Sequence, residues 1–438
     1  MHCTTSPSRF EQFLSPLTKA VDLDKLALTH NTDLRCRKFS TLQHLKLSIF
    51  AHLDKENCPS SRAIIEQIND PHDPKRLREL LGFAATNHYE LKPYAPFSLN
   101  QSSLSRANRE RSYRVWQNCF HRLLRLARSH FGPNALEGLL SFPLEKKSSE
   151  LGRVVAVDGS LFDCLARMVW ALYRSANFKC KVHFFYNLDS LPERIVLSAG
   201  KGSERQVLDE WLVAHTTYLI DRGYNSYELY ARIVANNSHF VTRLLSDATY
   251  QWVSGAGVSP QDFELGLRSD ETIRLKVKLS PKERAFRQLL GTPSQAGSKA
   301  AKAHCELAEY ELELRLVSFE GLDGKTYRYL TSRFDLAALD IVRLYLLRWE
   351  VERFIAWIKG YLAFDHWYSH EPNGVLIQLY AGLICYLLFK LAVLGKFSAK
   401  LVSLNLTNLR YFKRHLLDKI SQAQLEAYLA QFTFPPPS

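Results

Sequence analysis

Eight cysteines are scattered through 438 residues, and no two of them stand in a C-x2-C pair. Structural zinc sites use such close pairs, so reduced thiols and no zinc centre are expected. The phosphate-cradling loop G-x4-G-K-S/T is missing, which argues against nucleotide hydrolysis. The chain does not open on a basic start followed by an apolar stretch and a small-residue cleavage site, so secretion is not expected and a cytoplasmic location is. Fixed-period repeats, coiled-coil heptads and low-complexity tracts are lacking too. Only Val375 to Gly395 is apolar enough to suggest a membrane span, and Gln378 and Lys390 within it favour a buried core helix. His366 and His370 have an H-x3-H spacing but no H-E-x2-H pattern or cysteine beside them, and no metal role is assigned to them.

Acid is the minority charge. Against 44 Asp and Glu stand 57 Lys and Arg, a formal net charge of +13. Such an excess points to an anionic partner, because neutralising phosphates releases their counterions and drives association. With 46% hydrophobic residues, the chain can form a large core and two or three domains.

The most informative stretch is Tyr345-x2-Arg348-x3-Glu352-x6-Lys359. Residues 337 to 362 contain no proline and are rich in helix formers, so a continuous helix is expected. At about 100° per residue the four side chains fall within an arc of roughly 60°, one acid beside three phosphate-seeking groups. The alternative is a solvated face on which Arg348 and Glu352 form an ordinary i,i+4 pair. Trp349 and Trp357 are read as packed helix residues.

Two further acids follow apolar runs. Val154-Val-Ala-Val precedes Asp158-Gly-Ser, and Thr216-Thr-Tyr-Leu-Ile precedes Asp221-Arg-Gly-Tyr. Each reads as a buried strand delivering a carboxylate at its tip. Asp158 could instead be a turn residue favoured by Gly159, and Asp221 a helix cap before residues 225 to 236. Acids from three separate elements suit phosphodiester chemistry, in which two hard cations roughly 4 Å apart activate the attacking oxygen and stabilise the leaving one.

In these motifs the chain resembles the DDE transposases of bacterial insertion sequences, specifically the insertion-sequence-four family with its Y-x2-R-x3-E-x6-K signature. The order of D-G-S at Asp158, D-R-G-Y at Asp221 and the signature at Tyr345 carries the resemblance, with weaker support from R-K-F-S at Arg37 and L-S-R-A-N at Leu104. The resemblance implies an α/β fold, with a ribonuclease H-like catalytic core. It implies that Asp158, Asp221 and Glu352 hold two Mg2+ ions, with Mn2+ as a substitute, and that Tyr345, Arg348 and Lys359 contact DNA phosphates. It also implies double-stranded DNA as partner, both as terminal inverted repeats and as target, a homodimer on paired ends, and a nucleoid-associated protein.

Organisation along the chain is consistent with this. Residues 1 to 150 read as an all-α N-terminal DNA-binding domain, whose best-defined helix runs from Ser105 to Phe131. There Tyr113, Trp116, Phe120, Leu124 and Ala127 form an apolar stripe, while Arg111, Arg114, Arg122 and Arg125 lie opposite as a possible DNA-facing side. Residues 151 to 246 read as the first part of the core, with strands at 154–157, 181–186, 194–198, 216–220 and 239–245. Residues 247 to 336 read as a mostly β insertion, and 337 to 395 as the second part of the core with the Glu352 helix. Lys282, Arg284, Arg287, Lys299 and Lys302 flank a Gly/Ser-rich loop in the insertion and form a second candidate DNA contact. Residues 396 to 438 read as a basic helical segment and tail. Two rival functions remain open: a transposase-derived DNA-binding protein that does not cut, and a stand-alone nuclease of the same fold.

Overall fold

The computed structural model describes residues 8–34, 36, 39–70, 77, 80–82, 98–131, 151–175, 177–188, 191–278, 309–364, 366–394, 406–416 and 419–430. The basic loop residues Lys282, Arg284, Arg287, Lys299 and Lys302 lie outside them, as does the C-terminal tail.

The N-terminal region is helical because its polar residues start helices and its apolar residues fill one side of them. Helices α1 (Arg9–Ala20), α2 (Leu23–Thr29), α3 (Thr41–Leu53), α4 (Ser61–Ile68), α5 (Gln101–Glu110) and α6 (Arg114–Phe131) follow in order. Ser8 with Glu11, and Ser40 with Gln43, form reciprocal capping boxes that satisfy the free N–H groups at the starts of α1 and α3.

The single helix expected over Ser105 to Phe131 is in fact two. The backbone leaves the helical region at Arg111 (φ −73°, ψ 127°). Arg111 turns inward, donating to the Phe39 carbonyl and standing 3.5 Å from Asp33, with its guanidinium 4.9 Å above the Phe39 ring. Asn373 clamps the break: its amide donates to the carbonyls of Asn108 and Arg111, and its Oδ1 accepts from Tyr113 N–H. Arg111 is therefore buried and removed from the expected basic side, whereas Arg114 and Arg125 are exposed and Arg122 is half-buried. The apolar stripe of α6 is wider than the spacing implied. Val115, Cys119 and Leu123 are buried beside Trp116, Phe120, Leu124 and Ala127.

The strands are β1 (Arg153–Asp163), β2 (Leu172–Arg174), β3 (Asn177–Asn187), β4 (Leu191–Ala199), β5 (Thr216–Ile220), β6 (His239–Arg243), β7 (Gln251–Ala256), β8 (Leu267–Lys278), β9 (Glu309–Glu320) and β10 (Thr326–Thr331). They form one sheet in the order β2-β3-β1-β5-β6-β10-β9-β8-β7, with β4 also on β3. The fold is mixed α/β, consistent with a ribonuclease H-like core behind a helical N-terminal region. Pairing of β10 with β6 makes the strands of the β-rich stretch a continuation of the core sheet.

Helices α7 (Glu204–Glu210) and α8 (Tyr227–Ala235) cover one face of the sheet, and the short α9 (Pro260–Glu264) follows β7. The run Val154 to Val157 is apolar throughout because both faces are covered. Val155 and Val157 pack with Leu208 and Tyr230 under α7 and α8, while Val154 and Ala156 join the larger core shared with the N-terminal helices. That core also takes in α10 (Ala338–Leu346), α11 (Trp349–Tyr361) and α12 (Pro372–Leu394). As expected of the Val375 stretch, α12 is largely buried; it packs against α1, α3, α5 and α6. Helices α13 (Leu406–Leu416) and α14 (Gln422–Ala430) close the described chain, and the basic residues of α13 are partly spent on acids, Arg410 on Glu56 and Lys413 on Asp54.

Candidate active site

The parallel pairing of β1 with β5 places two of the acids level with each other. Its last partners are Val157 and Ile220, so Asp158 and Asp221 are the next residues along adjacent strands. Asp158 does not end its strand, however. β1 runs on to Asp163, held antiparallel by β3, with Asp158 opposite Phe184. The expected turn at Asp158-Gly-Ser is thus extended backbone, and only the parallel partner stops there. Asp158 Oδ1 accepts from Gly159 N–H at 2.8 Å. Asp221 opens a short 3-10 turn over Arg222–Tyr224, and its Oδ2 accepts from Gly223 N–H at 3.3 Å.

The third acid arrives on a helix that is not continuous. The expected span of 337 to 362 is interrupted at Leu347 and Arg348, where α10 gives way to α11. Leu347, Arg348, Glu350 and Val351 donate to carbonyls three residues back, at 3.0–3.2 Å. This tightened turn rotates the chain faster than an α-helix, so the single-face arithmetic does not carry across it. Glu352 is left in the first turn of α11, a helix that packs against β1 and β3.

Arg348 lies in the junction and links the acids. Its Nη1 donates to Glu352 Oε1 at 2.5 Å and its Nη2 stands 3.9 Å from Asp221 Oδ1. Its side chain is only 7% exposed. Burial works against its charge, but Tyr345, Glu352 and Asp221 outweigh that and hold the guanidinium above its ordinary value. Tyr345 is buried, with its ring 5.1 Å from that of Tyr329 and 5.6 Å from the Arg348 guanidinium. Lys359 Nζ donates to the Leu161 carbonyl at 2.8 Å and lies 4.5 Å over the Phe162 ring, which ties α11 to β1 just beyond Asp158. Burial lowers the Lys359 ammonium, while Asp163 and Asp158 oppose that shift. Trp357 packs as expected against Tyr361, Tyr386 and Phe389, but Trp349 is 54% exposed because it shares the solvent face of α11 with Arg353 and Ala356, at i+4 and i+7.

Electrostatically the site is acidic and partly dry. Burial pushes the Asp158 carboxyl up to about 6, helped by Glu352 and Glu204 and opposed by Gly159 N–H and Arg348. The Tyr224 hydroxyl is raised well above its ordinary range by burial, then by Glu204, Asp158 and Asp221. Among the described residues, no three His, Cys, Asp or Glu side chains are gathered closely enough to hold a metal ion. The donor chemistry nonetheless fits a hard divalent cation: the acids offer oxygen only, and the buried Tyr224 Oη has no hydrogen-bond partner. Arg348 supplies the positive charge between Glu352 and Asp221. Glu204 belongs to no motif: it ends a plain K-G-S-E sequence as the first residue of α7, and its only local signal is Ser203, which caps that helix.

A family model of the transposase DDE domain matches residues 150–388, more than half of the chain and including all three acids. A probable transposase for insertion sequence element IS5377 from Geobacillus stearothermophilus is 27% identical over 225 residues, covering 51% of this chain and about half, 52%, of that relative. The putative transposase y4zB of Sinorhizobium fredii is 24% identical over 68% of this chain and 73% of its own length. A putative transposase for insertion sequence element IS4SA from Synechocystis is 21% identical over 66% of this chain and 73% of its own. A conserved-domain match of this extent, on a sheet that sets Asp158 beside Asp221, leaves one assignment: the chain belongs to the transposase DDE domain family.

Proposed function

We propose that this protein is an insertion-sequence transposase of the insertion-sequence-four group, which cleaves DNA at the element's ends and joins the freed 3′ ends to target DNA. The observation that carries the reading is the pairing of β1 with β5, which sets Asp158 level with Asp221, together with Arg348, which draws Glu352 toward Asp221. The net charge of +13 supports an anionic polymer as substrate.

Asp158, Asp221 and Glu352 are the residues that would hold two Mg2+ or Mn2+ ions. Bound there, such ions supply activation of the attacking oxygen and stabilisation of the leaving oxygen of a phosphodiester. The rest falls to the chain itself. Arg348 keeps Glu352 and Asp221 close together despite their like charge. Lys359 fixes the angle of α11 on β1 and thereby the reach of Glu352. To act as phosphate contacts, Arg348 and Lys359 exchange these partners for phosphate oxygens, with Tyr345 behind Arg348; arginine then binds in bidentate fashion. Arg114, Arg122 and Arg125 provide the N-terminal contribution to backbone binding, and Lys282, Arg284, Arg287, Lys299 and Lys302 a second one. Double-stranded terminal repeats and target DNA are the partners, a homodimer on paired ends is the working assembly, and the cytoplasm is the compartment.

The test is incubation of the purified chain with a duplex carrying the element's end, with and without Mg2+. Metal-dependent nicking, followed by joined product from a pre-cut end, is the expected result. Binding without nicking under any condition identifies a non-cutting DNA-binding protein, and cleavage without joining identifies a nuclease.

A further inference from the structure

Asp158 is followed by a glycine, and the neighbouring helix shows why a side chain is excluded there. A Cβ at Gly159 would lie 2.9 Å from Glu204 Oε1, 3.2 Å from its Cδ and 3.3 Å from its Cγ. Glu204, the first residue of α7, therefore lies flat against β1 one residue from Asp158. A Cβ at Gly223 would stand 3.6 Å from Asp221 Oδ2 and 4.0 Å from Glu204 Oε2, so the two oxygens border the same gap.

The two oxygens of Glu204 are used unequally. Oε1 pairs with Lys181 Nζ at 3.0 Å, and Lys181 also donates to the Gly202 carbonyl at 3.4 Å. Among the described residues Oε2 accepts no hydrogen bond. A second, independent observation concerns Tyr224, which is 1% exposed and whose hydroxyl has no partner. The charges of Glu204, Asp158 and Asp221 all bear on that hydroxyl. A buried hydroxyl without a partner is unfavourable, and one that lies in the field of these carboxylates invites a ligand that satisfies both. A plain Lys181–Glu204 ion pair explains neither the unused oxygen nor the orphaned hydroxyl.

We propose that Glu204 is a fourth carboxylate of the divalent-cation pocket, offering Oε2 beside Asp221 while Lys181 holds Oε1. The inference rests on the reading of Asp158, Asp221 and Glu352 as cation ligands. Lys181 has a defined part in it: it orients Glu204 and, by sharing its charge, moderates the pocket's hold on the ion. Removing the acid and removing its lysine partner then act in opposite directions, which a purely structural salt bridge does not do.

The test measures Mn2+ binding to the full-length chain without DNA, from the free Mn2+ electron-spin signal, alongside thermal melting. Glu204→Gln is expected to raise the Mn2+ dissociation constant by about tenfold or more, the range usual for a carboxylate serving a metal site. Lys181→Met is expected to lower it severalfold. Glu352→Gln is the control. If Glu352→Gln weakens binding while Glu204→Gln and Lys181→Met leave it at the wild-type value, the role of Glu204 is overturned and the three-acid reading survives. If none of the variants changes it, or the wild type binds no Mn2+, both readings fail. Should Glu204→Gln not fold, the wild type decides with Lys181→Met: Fe2+ with ascorbate and peroxide cuts backbone beside a bound ion, and no cut within residues 202 to 206 overturns the proposal.

Discussion

Replacing Arg348 by methionine removes the positive charge held among the acids while keeping most of the side chain's apolar bulk. In the wild type this guanidinium bonds Glu352 at 2.5 Å and stands 3.9 Å from Asp221. Breaking a fully buried ion pair costs about 3–5 kcal/mol, because the remaining charge is stranded. Here Arg348 is 7% exposed but Glu352 and Asp221 are 31% and 41% exposed, so water screens much of the stranded charge. A loss of about 2 kcal/mol is expected, between the buried and the surface limits. The same stranded carboxylates should then bind a divalent cation better. A ligand at a hundredfold excess over its dissociation constant stabilises the folded state by about 2.7 kcal/mol, enough to restore the variant. Urea unfolding in EDTA and in Mg2+ reads both terms. In EDTA the variant's midpoint should fall below that of the wild type, and Mg2+ should shift the variant more than the wild type, in which Arg348 competes for Glu352. An Mg2+ shift in Arg348→Met no larger than in the wild type would refute the idea that this arginine occupies the place of a cation's charge.

Other outcomes follow from the same structure. Glu352→Gln should abolish DNA cleavage while leaving DNA affinity unchanged, since the amide keeps the shape and loses the charge; undiminished cleavage removes Glu352 from the site. Arg125→Ala, at an exposed position on α6, should weaken DNA binding and flatten its dependence on salt, and an identical salt slope takes that helix out of the interface. His52 should make the protein acid-sensitive. Burial lowers its imidazole from 6.5 to about 4, and its ring is bonded on both sides, Nδ1 accepting from Ala363 N–H at 3.1 Å and Nε2 donating to the Gln378 carbonyl at 2.8 Å. The folded state thus favours the neutral ring, so its contribution is complete above pH 6.5 and is lost as pH falls toward 4, about 3 kcal/mol in all. Stability curves for His52→Gln that fall as steeply over that window as those of the wild type would contradict this.

The strands that carry two of the candidate acids could be read before folding because they announce themselves locally. A strand buried on both faces must be apolar throughout, so Val154 to Val157 and Thr216 to Ile220 mark where β1 and β5 lie, and with them Asp158 and Asp221. The i,i+4 spacing of Arg348 and Glu352 likewise survives as a hydrogen bond. What spacing could not reveal was the tightened turn at Leu347 and Arg348, which has no proline or glycine to signal it. Nor could it reveal the break at Arg111, which depends on Phe39, Asp33 and Asn373, all distant in sequence.

By itself the sequence determined where Asp158 and Asp221 stand, each at the end of a run that reads as a buried strand, while the parallel register that sets them level was decided by the pairing of β1 with β5. Only the tertiary structure decided that β10 joins β6 and extends the sheet, that Arg348 is spent on Glu352 and Asp221, and that Glu204 fills the space left by Gly159. Periodicity encodes which face of an element is buried. Which partner meets that face, and which polar group is left without one, is settled by packing between residues far apart in the chain.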